Sequence, residues 1–80
     1  MDEDFQECRE AFIRLVASLD DGIVVTIPTR PSNGLFQTGL QRGNNKKFLG
    51  IQEDDLLDLP DEEDIRALLT EQVQAIIDKI

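Results

Sequence analysis

Eighty residues carry 17 Asp and Glu against 8 Lys and Arg, a formal charge of −9, with 40% of positions hydrophobic. That suffices for one small core within a single domain over residues 1–80. The absence of His removes the commonest general base and neutral metal ligand, and no segment approaches the ~20 apolar residues that span a bilayer.

The chain begins with a helical pattern over residues 2–19. Phe5, Cys8, Phe12, Leu15, Val16 and Leu19 recur near helical spacing. Asp2, Glu3 and Asp4 suit a helix start, and Asp20-Asp21-Gly22 suits its end. Ile23 to Ile27 is rich in β-branched residues and reads as a strand. Both of its faces are apolar, which predicts a central or well-covered position.

Thr29 to Gly34 reads as a loop, with Asn33-Gly34 as its turn. Leu35 to Gln41 is the second strand, Arg42 to Asn45 a hairpin turn and Lys46 to Gln52 the return strand. Gly39 and Gly50 interrupt the two strands, a pattern that predicts a bulge, a bend or close backbone approach. Glu53 to Leu59 reads as a short helical turn. Pro60 is placed to open the last helix, with Asp61, Glu62, Glu63 and Asp64 in its first turn. Ile65, Leu68, Leu69, Val73, Ile76, Ile77 and Ile80 line one face of that helix. The expected fold is α+β in the order α-β-β-β-α, a small antiparallel sheet packed by an N-terminal and a C-terminal helix.

Charge divides the chain into three. Residues 1–21 hold seven acids against Arg9 and Arg14, a balance of −5. Residues 22–52 hold no acid and carry Arg30, Arg42, Lys46 and Lys47, a balance of +4. Residues 53–80 hold ten acids against Arg66 and Lys79, a balance of −8. The acid-free middle therefore does a different physical job from the two ends.

No catalytic constellation emerges, and the chain reads as non-enzymatic. Cys8 lies on the apolar helix face, away from the cationic setting that makes a thiolate. A lone cysteine forms no internal disulfide, and the acidic N-terminus lacks the basic start of a secretory signal, so a cytoplasmic location is expected. The acids of residues 53–64 lack the alternation and central glycine of a calcium loop. No metal or cofactor is expected.

Three binding readings follow. The first is a protein-interaction module, a regulator, adaptor or inhibitor. Its exposed members of Leu56, Leu57 and Leu59, with Asp61, Glu62 and Glu63, would meet a basic partner. The second is a nucleic-acid or phosphate binder using Arg30, Arg42, Lys46 and Lys47, with Phe36 and Phe48 available to stack bases. The third is an inhibitor whose carboxylates mimic nucleic acid. The apolar stripe of the 61–80 helix also predicts a homodimer.

Overall fold

The computed structural model describes residues 3–80, with side chains from Phe5 onward. Asp2, read above as part of the helix start, lies outside them. The order is α1 (Glu3–Leu19), β1 (Val24–Thr26), β2 (Leu35–Arg42), β3 (Asn45–Gln52), α2 (Glu53–Asp58) and α3 (Glu63–Ile77). This is the expected α+β arrangement of a three-stranded antiparallel sheet between terminal helices.

The two turns follow from their residues. Asn33 and Gly34 both have positive φ, 55° and 78°, the backbone that a type I′ turn requires. Ser32 and Leu35 exchange both backbone bonds across that turn, at 2.7 and 3.0 Å. Gly43, with φ of 60°, lets β2 reverse directly into β3 through two residues. The β2–β3 register then runs unbroken from Leu35↔Gln52 to Arg42↔Asn45. There is no bulge, so the two strand glycines have another role, taken up below.

Strand alternation decides which side is covered. Phe36, Thr38 and Leu40 of β2 point to one side and are buried, as is Ile51 of β3 opposite Phe36. Onto this side pack Cys8, Phe12, Leu15 and Val16 of α1, Leu56 of α2, Leu59, and Leu69, Val73 and Ile77 of α3. The Phe5 ring meets the Phe36 ring at 5.7 Å between centroids. Full burial of each large apolar side chain stabilises the fold by roughly 1.5–3 kcal/mol. The buried Thr38 hydroxyl donates to the Phe36 carbonyl at 3.4 Å, so it is not stranded among apolar groups.

Two local expectations need correction. β1 is an edge strand, not a central or well-covered one, because the sheet order is β1-β2-β3. Its β-branched residues favour extended backbone but do not report what lies on either side. Val25 joins the core side across from Leu40, while Val24 and Thr26 face outward. The last helix starts at Glu63 rather than at Pro60. Pro60 instead sits in a turn off α2, where the Asp61 and Glu62 amides donate to the Asp58 carbonyl at 3.1 and 2.9 Å. Buried Leu59 ties that turn to the core, so the chain must reverse before a new helix begins.

The N-cap of α3 is Glu62, whose side chain makes no capping bond. Glu62→Asp keeps the charge and shortens the carboxylate to capping length. We expect about 1 kcal/mol of added stability, a rise in Tm of roughly 4–8 °C for a domain of this size, measurable by thermal denaturation.

Candidate functional site

All three helices lie on one side of the sheet, and among the described residues nothing covers the other side. Alternate residues face it: Val24 and Thr26 of β1, Leu35, Gln37, Gly39 and Gln41 of β2, and Lys46, Phe48, Gly50 and Gln52 of β3. None is acidic, in a chain whose net charge is −9. Most acids of the chain belong to the helices and their termini, so the fold sorts charge by layer.

Phe48, midway along edge strand β3, is 61% exposed, and Val24 on the opposite edge strand is equally exposed. An exposed Phe on an open sheet is held in place by its neighbours. Gly39 pairs directly across from Phe48, and a β-carbon there would stand 3.5 Å from the Phe48 ring and 2.9 Å from Lys46 Cε. The missing side chain leaves room for the Lys46 stem over β2, with the Phe48 ring at ordinary contact distance. The Lys46 ammonium sits 5.1 Å from the Phe48 ring centroid, a cation–π contact worth about 0.5–1 kcal/mol at an exposed site. Among the described residues this face presents one aromatic ring, one cation and the glutamines Gln37, Gln41 and Gln52. Sequence reasoning named Phe48 and Lys46 within a wider set of cations and aromatics, without the pairing that joins them. The signal that unites them is the run Gln37, Gly39, Gln41 against Lys46, Phe48, Gly50, Gln52, which reads as an uncovered face once the hairpin register is drawn.

The four central cations do not form one patch. Arg42 is committed to the helix side, where its guanidinium bonds the Asp20 carboxylate and donates to the Ile80 backbone oxygen at 3.1 Å. Lys46 lies on the open face, and Lys47 points to the opposite side of the sheet. Arg30 is exposed in the loop before β2. The Gly22 amide donates to Asp20 at 2.8 Å, and this bond, aided by Arg42, holds the Asp20 carboxyl below the usual carboxylate range. A depressed carboxyl adds stability above its unfolded pKa and loses it as pH falls through the folded value. The Tm advantage of the native chain over Asp20→Asn should therefore hold near neutrality and shrink below about pH 4, as followed by pH-resolved thermal melts.

The acidic candidates separate likewise. Leu56 and Leu59 are fully buried core residues, which corrects their place in a partner surface. Leu57 is 40% exposed, in a stretch of chain whose Asp54, Asp58, Asp61, Glu62 and Glu63 are also exposed. The stripe of α3 is largely spent inside the chain, with Leu69, Val73 and Ile77 buried and Leu68 facing outward. Phe36 is buried, so Phe48 is the one of that pair that can meet a ligand.

Other features are quieter. Cys8 is buried, and its thiol lies 3.5 Å from the Leu57 carbonyl. A cleft between α1 and α3, about 330 Å³, is lined by Arg14 and Arg66. Its hydroxyls are turned inward: Ser18 donates to the Leu15 carbonyl and Thr70 to the Arg66 carbonyl, both at 2.7 Å. No group of three or more potential ligand side chains among the described residues could hold a metal ion. No described helix is long and apolar enough to cross a membrane. Comparison with family models, with curated proteins and with solved structures finds no match to this chain.

Proposed function

We propose that this chain is a non-enzymatic module that binds another protein on the bare face of its sheet, as a regulator, adaptor or inhibitor. The observation that carries this reading is an exposed Phe48 on an acid-free sheet surface, its ring beside Gly39 of the central strand. A well-packed aromatic at the centre of an interface typically supplies most of its affinity. The amides of Gln37 and Gln52 can donate or accept, and Lys46 is the face's one cation. The partner surface that fits has an apolar socket for Phe48 and a polar or weakly acidic rim. The acidic helices on the far side keep the module soluble and set its orientation as it approaches.

A second reading rests on exposed Leu57 among carboxylates. There, Asp61, Glu62 and Glu63 would receive a basic partner on the helix side. The nucleic-acid reading has less support, because Lys46 and Phe48 alone share the open face and phosphate binding draws its strength from several cations.

The test compares three variants in co-purification from the source cells, with nuclease treatment. The bare-face reading expects a nuclease-resistant partner that is lost with Phe48→Ala. It expects the same partner to be kept by Leu57→Ala with Asp61→Lys and by Arg30→Glu. Loss only in the Leu57 set would favour the helix side. Loss on nuclease treatment would favour nucleic acid.

A further inference from the structure

β3 is an eight-residue strand with no strand partner on its outer side among the described residues. Hydrogen-bond parity says which groups that edge presents. Leu35 spends its amide and carbonyl on Ser32, away from β3, so the next residue, Phe36, turns its own toward Ile51. The same alternation pairs Thr38 with Leu49, Leu40 with Lys47 and Arg42 with Asn45. The backbone groups of Lys46, Phe48 and Gly50 therefore point outward, away from β2.

Gly50 is the unexplained member. Its φ is not in the left-handed region, and a β-carbon there would make only ordinary contacts, 3.5 Å from the Gln37 amide and 3.7 Å from Leu35. Nothing inside the chain requires glycine, although glycine weakens a strand by roughly 0.5–1 kcal/mol relative to alanine. Gly39, by contrast, makes room for the Lys46 stem.

We propose that β3 pairs antiparallel with β3 of a second copy of this chain, about a two-fold axis at Phe48, giving a continuous six-stranded sheet. In that register Phe48 faces Phe48 of the second copy, and Lys46 faces its Gly50. Each Gly50 then sets no side chain against the second copy's Lys46, whose own stem lies back over Gly39, so the two strands can approach without a clash on the open face. Lysines on an edge normally discourage pairing. Here they disfavour shifts toward the hairpin turn, since registers that set Lys46 against Lys46 or Lys47 against Lys47 of the second copy oppose like charges. Charge also favours this site over the helix stripe. Two molecules of −9 meet most easily where neither presents an acid. The isologous pairing places two Phe48 rings side by side on one enlarged face. This inference concerns the edge of the sheet, so it stands or falls apart from the binding of a different protein on its face.

The test is sedimentation equilibrium of the purified chain from micromolar to millimolar concentration, in 0.05 and 0.5 M NaCl. A monomer–dimer equilibrium that strengthens with salt is expected, because screening relieves the repulsion of the two acidic layers. Gly50→Pro removes an outward N–H and no bond to β2, so the monomer should keep its circular dichroism while dimerisation weakens at least tenfold. In a Cys8→Ser background, Phe48→Cys should form an intermolecular disulfide, because directly paired residues on adjacent strands lie within disulfide reach. Thr26→Cys, on the far strand, should not. A monomer at every concentration would overturn the proposal. So would a dimer indifferent to Gly50→Pro, or one lost on Leu68→Ser, which would move the contact to α3. Partner capture that survives Gly50→Pro would uphold the bare-face reading even if the dimer fails.

Discussion

Phe48→Ala should leave the fold standing and weaken partner binding by about thirtyfold or more. The two halves of this expectation have separate grounds. The ring is 61% exposed, so its removal opens no cavity and forfeits little beyond its contact with Lys46. The expected stability loss is below about 1 kcal/mol. In a complex the same ring would be desolvated at the centre of the contact, and loss of such an aromatic costs about 2 kcal/mol or more. Thermal melts of the variant should overlay those of the parent while titration with the captured partner shows the loss. A variant that melts far below the parent would mean that Phe48 serves the fold rather than a partner.

Phe12→Ala should do the reverse and unfold the chain. Phe12 has no exposed surface and sits where α1 meets the rest of the core. Truncating a buried Phe costs about 3–5 kcal/mol through lost transfer energy and the cavity left behind. A domain of this size commands little more than about 5 kcal/mol in total. The variant should lose its cooperative thermal transition, or show it more than about 12 °C lower. Denaturant melts of the Phe12→Ala and Phe48→Ala variants side by side separate the covered face of the sheet from the bare one.

Much of the fold was legible in the residues because each element carries its own period. The α1 and α3 stripes, Asn33-Gly34 and the turn around Gly43-Asn44 all act locally, and the structure places helix, strands and helix in the expected order. What was not legible depends on who sits beside whom. The apolar run Ile23–Ile27 says strand but not edge, since its outward Val24 looks the same as its inward Val25 until Leu40 is known to lie opposite. Arg42 looked available because its Asp20 partner is 22 positions away. Leu56 and Leu59 read either as core residues or as members of an acidic-hydrophobic docking stretch, and the packing of α2 against α1 and β3 puts them in the core. The bare face needed one further step, the β2–β3 register, which brings Gly39 across from Phe48 and turns two unremarkable glycines into features of a surface.

The most direct measurement is site-specific photocrosslinking in the source cells, with the crosslinking amino acid placed in turn at Phe48, Val24, Leu57 and Leu68. The bare-face account predicts one protein crosslinked from positions 48 and 24 and little from 57 or 68. The same protein recovered from 57 and 68 with none at 48, or nucleic acid as the product at 48, would contradict it.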